Sequence, residues 1–251
     1  MPVVNYLLIA ICTLVFFKQL DGGQDGSLIE RYGMVPARVL NPDQTIMVPQ
    51  YERVRTFLGP KIRQRFKPLP EAAVPNVLTL VTCMFLHGGW IHFIGNMWFL
   101  FIFGDNVEDR LGHLGYGGFY LGCGILSGVV HLLANTGSAM PTVGASGAIA
   151  AVMGGYFLLY PRAQVLTLVP IFFFFYLMVL PAPLFLGFWF FIQFFQGTLA
   201  VSQSATGGVA WWAHIGGFIA GFGTILILLP TDLLRPPVRR HRPVRTGRWT
   251  R

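Results

Sequence analysis

Charge is what this sequence has least of. Only 11% of its 251 residues are Asp, Glu, Lys or Arg, where a soluble domain carries about 25%. Between Ala72 and Leu234 the charged residues are Asp105, Glu108, Asp109, Arg110, Arg162 and Asp232 alone. A chain this poor in charge and 54% hydrophobic is excluded from the soluble globular class and reads as an integral, multi-pass membrane protein. Cysteine is scarce too. Cys12, Cys83 and Cys123 stand in apolar segments with no motif spacing, which excludes a disulfide framework or zinc knuckle and leaves them as small buried hydrophobes. There is no HExxH, His87 and His92 do not share a helix face, and their segment has no acidic ligand. No metal is therefore expected. Asp105 has no partner aspartate in another span, which excludes a two-aspartate intramembrane mechanism.

What charge there is lies at the edges. Nine of the 18 basic residues fall between Lys18 and Lys67, and seven arginines fall between Arg235 and Arg251. The net charge of +8 thus describes one loop and one tail, not a basic folded face of the kind that binds nucleic acid. A span needs about 20 apolar residues. Apolar runs place spans at 3–17, 90–103, 115–134, 146–160, 169–195 and 211–229, with a short helix near 76–86. The first run lacks the basic leader and Ala-x-Ala-like site of a signal peptide, so it reads as a retained span. Between it and the next lies a long charged segment broken by proline and glycine. Within that segment YERVRTFL (51–58) is expected to form a short amphipathic surface helix.

The expected fold class is an all-α membrane protein, a bundle of six transmembrane helices over residues 1–234. It has a long first extracytoplasmic loop (about 18–75) and a basic tail at 235–251. The arginine tail is cytoplasmic by the positive-inside rule and has affinity for anionic membrane lipids. The basic first loop then lies outside, against that rule. Spans two, four and six all enter from this outer face, so the polar residues of their first turns lie at similar depth: His92 and Asn96, Ser146, and His214.

Ser146 stands in TVGASGAIAAVMG (142–154), where a serine is more often a packing residue than a chemical one. Its span is short, 15 residues before Pro161, about 22 Å against a hydrocarbon core of roughly 30 Å. The loop before it must therefore dip into the membrane, where protein buries it or water reaches it. Ser146 then sits at a helix N-terminus, whose free N–H groups face any developing anion. In WWAHIGGFIAGFG, His214 is a lone histidine inside a span, as often a packing group as a functional one. Gly217 and Gly221 make one small face, and Gly147, Ala151 and Gly154 another. Close approach of these helices would bring His214 Nε2 to Ser146 Oγ as a general base, in a dyad without an orienting carboxylate. His92 and Asn96 are spaced i, i+4 on one face, which suits either two oxyanion donors or a structural pair between helices.

GWIHFIGNMWFLFIFGDNVEDRLGH, TVGASGAIAAVMGGY and AHIGGFIAGF, in this order, resemble the rhomboid intramembrane serine proteases. YGMVPARV (32–39) also looks like the segment after the first span in many bacterial members. The resemblance implies a rhomboid-type bundle with Ser146 as nucleophile and His214 as its base. It implies an oxyanion hole of His92, Asn96 and the Ser146 backbone N–H. It implies no cofactor, and as partners the transmembrane segments of other membrane proteins, cut near small residues where the helix unwinds. Small size and loop style point to a bacterial plasma membrane. Two positions depart from the pattern. Many members carry an aromatic one turn after the serine, packed on the histidine, where this chain has Ala150. Some carry a Trp-Arg pair in the first loop, and this chain has no tryptophan before Trp90.

Two other readings use the same residues. A small transporter would line a polar pathway with His92, Asn96, Ser146 and His214, but the chain shows no inverted repeat. An inactive relative would bind membrane-protein clients without cutting them, and its usual sign is loss of the serine or histidine. Of the remaining groups, Glu108, Asp109 and Arg110 read as a structural clasp in a cytoplasmic loop and His131 as an interfacial residue. FFFFY (172–176) reads as lipid-facing bulk in span five.

Overall fold

The computed structural model describes residues 1–21, 27–57, 59–202 and 210–236. The chain begins with α1 (Val3–Asp21), α2 (Ser27–Tyr32) and α3 (Pro36–Leu40), followed by strands β1 (Met47–Thr56) and β2 (Gly59–Pro68). A 3₁₀ turn (Asn76–Leu78), α4 (Thr79–Thr82) and a second 3₁₀ turn (Cys83–Phe85) lead into α5 (Trp90–Ala134) and α6 (Ser146–Leu159). Strands β3 (Gln164–Ile171) and β4 (Phe174–Pro181) precede α7 (Ala182–Ser202) and α8 (Trp211–Leu228). Among the described residues, four helices are long and apolar enough to cross a membrane: α1, α5, α7 through Leu199, and α8.

At 45 residues, α5 is two arms, because Gly112 is non-helical at φ 72° and ψ 168°. That φ is left-handed backbone, which glycine adopts without a β-carbon clash. A side chain there would also run into the Arg235 guanidinium. The break falls between the two spans expected at 90–103 and 115–134.

The N-terminus of α1 is capped from another helix. Buried Glu108 accepts the N–H groups of Val4 and Asn5 at 2.9 and 2.7 Å, satisfying two of the donors that a helix start leaves free. Asn5 in turn donates to the Leu100 carbonyl (3.1 Å) and accepts from Tyr116 Oη (2.8 Å). Such side-chain bonds hold helices together where lipid offers no hydrophobic drive. Nearby, Arg110 Nε donates to the Arg235 carbonyl at 2.6 Å and the Arg235 N–H to the Arg110 carbonyl at 2.7 Å. The start of α1 and the segment after α8 therefore meet at one end of the bundle. Residues 108–110 thus lie within α5 and not in a loop as expected, and there Glu108 and Arg110 fasten α1 and the segment after α8.

Helix α6 runs through the middle, with Gly147 to Tyr156 all buried. Its 14 residues span about 21 Å. Against it lies α8, in near backbone contact. A β-carbon on Gly217 would meet the Gly147 carbonyl, one on Gly221 the Ala151 carbonyl, and one on Gly154 the Phe218 carbonyl. Gly147 differs from expectation in one respect: its own hydrogen face meets the Ser127 side chain of α5, and it offers α8 its carbonyl.

Two antiparallel hairpins correct the all-α expectation. Residues 51–56 are strand, not surface helix. β1 pairs with β2 from Met47↔Pro68 to Thr56↔Gly59, and residue 58 lies outside the described residues. The segment alternates in exposure with period two, Tyr51, Arg53 and Arg55 outward, which is a strand pattern. The span expected at 169–195 is also two things. β3 pairs with β4 from Gln164↔Pro181 to Ile171↔Phe174, and the helix begins only at Ala182. A helix over 169–195 would carry Pro181 and Pro183 in its interior, each removing a hydrogen bond and clashing one turn back. Phe172–Phe175 are exposed at the turn of this hairpin. The first loop also starts later than expected, because α1 runs on past Phe17 to Asp21. Of the basic tail, residues 237–251 lie outside the described residues.

The α6–α8 contact yields a stability test. Gly221→Ala forces two backbones apart and is expected to destabilise the folded protein by about 1–3 kcal/mol. Gly223→Ala, where a β-carbon meets nothing within 4 Å, is expected to be neutral or slightly stabilising. Unfolding in mixed detergent micelles checks both.

Candidate active site

The loop that delivers Ser146 is held from the first-loop side. Met34 and Thr142 exchange backbone hydrogen bonds (3.1 and 2.8 Å), the Ala37 N–H donates to Ser138 O (3.0 Å), and the Gly144 N–H to Cys83 O (2.9 Å). The Pro36–Leu40 turn is fastened by buried Arg38, whose guanidinium donates to the carbonyls of Glu30, Pro70 and Gly33 at 2.8–2.9 Å. Burial lowers the Arg38 pKa from its ordinary value, with the Glu30 charge acting against it. YGMVPARV is thus the brace for the loop that ends at Ser146. Pairing with that brace satisfies backbone groups that lipid could not.

Ser146 is the first residue of α6, and no side chain caps that helix N-terminus. His214 stands in the first turn of α8 and is buried. The two side chains meet, His214 Nε2 to Ser146 Oγ at 2.7 Å. On the other ring nitrogen, Nδ1 lies 2.7 Å from Oε1 of buried Gln193 on α7. Trp189, one turn earlier on α7, tilts over the imidazole with centroids 5.8 Å apart, and Trp211 meets it edge-on at 6.3 Å. These two rings flank the imidazole, while position 150, where the resemblance led to an aromatic, is alanine. Ala150 has no room for one, because its β-carbon packs against Gly217. Ser127 of α5 donates to the Ala213 carbonyl at 2.7 Å, holding the backbone beside His214.

His92 and Asn96 project from the first turns of α5 toward Gly144. A β-carbon on Gly144 would lie 2.7 Å from His92 Nε2 and 3.6 Å from Asn96 Nδ2. Asn96 Nδ2 is buried and has no acceptor within the protein, so it is a donor held in reserve. The Gly88 N–H donates to His92 Nδ1 at 3.3 Å. In a neutral imidazole this leaves the hydrogen on Nε2, the nitrogen facing Gly144. A small cavity beside the serine is lined by Met34, Cys83, Thr142, Gly144, Ser146 and Ala213 among others, and the His214, His92 and Asn96 side chains are not in its wall. At Ser146 the chemistry is a hydroxyl next to a base, with the His92 and Asn96 nitrogens near Gly144.

The structure therefore brings Ser146, His214, His92 and Asn96 to one end of the bundle, and Gly217, Gly221 and Gly154 to the helix contact beneath them. His87 and His131 stay outside this arrangement. The His87 ring lies 5.5 Å from that of His92 and edge-on to the stacked pair Phe16 and Phe93, and His131 contacts Asn135. Among the described residues, no three His, Cys, Asp or Glu side chains form a group able to hold a metal ion. Sequence reasoning missed Gln193 and Trp189. The signal was there: FWFFIQFFQG places two glutamines, Gln193 and Gln196, inside a largely apolar helix, and a polar residue there is expected to face the bundle or a polar cavity.

Gly144 carries the local prediction. Its φ of +127° and the His92 ring beside it leave no place for a β-carbon. Gly144→Ala is expected to displace His92 or the Ser146 loop, and to cut reaction with a serine-directed fluorophosphonate at least tenfold while the helical circular dichroism is kept.

The Rhomboid domain profile matches residues 75–231. Three proteins of the plant Arabidopsis thaliana are similar to this chain. RHOMBOID-like protein 6, mitochondrial, is 34% identical over 156 residues, covering 60% of this chain and 44% of that protein. Rhomboid-like protein 11, chloroplastic, is 41% identical over 75 residues, 30% of this chain and 26% of that protein. RHOMBOID-like protein 5 is 33% identical over 75 residues, 30% of this chain and 24% of that protein. The chain thus spans less than half the length of the curated relatives it matches, and these plant proteins lend no support to a bacterial membrane. The match covers more than half of the chain and takes in Ser146, His214, His92 and Asn96: the chain belongs to the rhomboid family.

Proposed function

We propose that this rhomboid-family membrane protein is an intramembrane serine endopeptidase that cleaves transmembrane segments of other membrane proteins. The observation that carries the reading is the 2.7 Å contact of His214 Nε2 with Ser146 Oγ, at an uncapped helix N-terminus whose preceding loop passes the unpartnered Asn96 amide at Gly144. Nothing in helix packing requires that combination.

In this reading α1, the two arms of α5, α6, α7 and α8 make six crossings, with the arginine tail on the cytoplasmic side. Ser146 Oγ attacks the scissile carbonyl as Nε2 takes its proton. The oxyanion is met by Nε2–H of His92, Nδ2–H of Asn96 and the Ser146 N–H. His214 then returns the proton to the leaving amine, and a water repeats the sequence to release the acyl group. No cofactor or metal takes part. A substrate helix must unwind to present its carbonyl here, which favours cleavage near small residues.

Purified protein in detergent, treated with a fluorophosphonate probe, is expected to label in the wild type and not as Ser146→Ala or His214→Ala. Absence of wild-type labelling, or equal labelling of Ser146→Ala, sinks the reading and leaves the client-binding or polar-pathway alternatives. EDTA is expected to leave cleavage of a model transmembrane substrate unchanged, and inhibition reversed by zinc would count against a serine mechanism. Asn96→Ala is expected to lower kcat about 10²-fold, the loss typical of one oxyanion donor.

A further inference from the structure

We infer that Gln193 is a positioning residue that sets which nitrogen of His214 carries the proton, an inference that rests on the protease reading of the site. A neutral imidazole has one N–H and one lone pair. To accept the serine proton, His214 must present its lone pair at Nε2 and hold its hydrogen at Nδ1. Gln193 Oε1, 2.7 Å from Nδ1, offers only lone pairs, so this contact is a hydrogen bond when the hydrogen is on Nδ1. The opposite tautomer would set two lone pairs against each other. Gln193 and His214 are 6% and 8% exposed, and an Nδ1–H that lost this acceptor would be left unpaired in a low-dielectric interior.

The site thereby holds two histidines in opposite tautomers. The Gly88 N–H donates to Nδ1 of His92 and leaves Nε2 as donor. Gln193 accepts from Nδ1 of His214 and leaves Nε2 as acceptor. One ring is set to stabilise an anion and the other to take a proton. Gln193 fills, without charge, the place of the carboxylate that orients the histidine in a serine triad. It reaches His214 from a different helix, so α7 must be seated on α8 for the base to be correctly protonated.

The wild type and two variants test this. In ¹⁵N-histidine-labelled wild type, with His214 assigned by its loss in His214→Ala, nitrogen NMR is expected to find His214 as the Nδ1–H tautomer. Finding it as Nε2–H overturns the inference. Gln193→Met keeps the volume and removes the acceptor. Its fluorophosphonate reaction rate and kcat are expected to fall about 10²-fold, the lower range for a correctly held general base, with KM unchanged. Gln193→Glu keeps an acceptor at the same reach and is expected to stay within about tenfold of wild type. A Met variant reacting at the wild-type rate, or a folded Glu variant as slow as His214→Ala, overturns the inference. If Gln193→Met fails to fold, the wild-type tautomer and the Glu variant still decide. Wild-type protein that does not react at all removes the protease reading itself. A reactive wild type with an indifferent position 193 removes only the role of Gln193.

Discussion

The structure depends on how closely α6 and α8 approach. Gly217 and Gly221 on one helix face the carbonyls of Gly147 and Ala151 on the other, with hydrogen atoms where any other residue has carbon. In a membrane this contact has no hydrophobic drive behind it, and van der Waals fit between backbones takes its place. The same contact sets the site. Ser146 opens α6 and His214 stands in the first turn of α8, so the distance between the two axes becomes the distance between hydroxyl and imidazole. Packing and chemistry are one constraint, and the glycines serve both.

Around that contact, many polar atoms in an apolar setting are committed, while among the described residues Arg38 Nε, both His87 nitrogens, Asn96 Nδ2, Tyr120 Oη and Trp212 Nε1 are buried without a partner. Asn5 is held by Leu100 and Tyr116, Arg38 by three carbonyls, Ser127 by Ala213 and His214 by Gln193 and Ser146. Asn96 Nδ2 lacks an acceptor near Gly144, two residues before Ser146. An unmet buried donor is destabilising wherever it has no use. In the proposed protease reading, its place along the loop that ends at Ser146 suits a donor to an anion.

Much of this was legible along the chain, and the exceptions have physical reasons. The helices were read from apolar runs, and 211–229 and 146–160 came out within a residue of α8 and α6. The failure at 169–195 arose because hydropathy does not distinguish an apolar hairpin from an apolar helix. Pro181 and Pro183 carried that information instead. YERVRTFL misled in the same way, since its charges suit either a surface helix or a strand, and only the period of two identifies the latter. Gln193 was passed over because a polar residue in a run of phenylalanines gives no sign of what it faces.

By itself the sequence determined which segments are apolar enough for the membrane, which side chains can do acid–base chemistry there, and which faces are small enough for helices to touch. Those are properties of single residues and of their spacing on one helix. Tertiary structure alone decided that Gln193 and Trp189, on α7, are the groups that hold His214. It alone decided that Arg38 and Met34 brace the loop before Ser146, and that Glu108 caps α1 from 104 residues away. Each of these is a meeting of separate segments, and the pairing of one helix with another is set by the packing of the whole bundle.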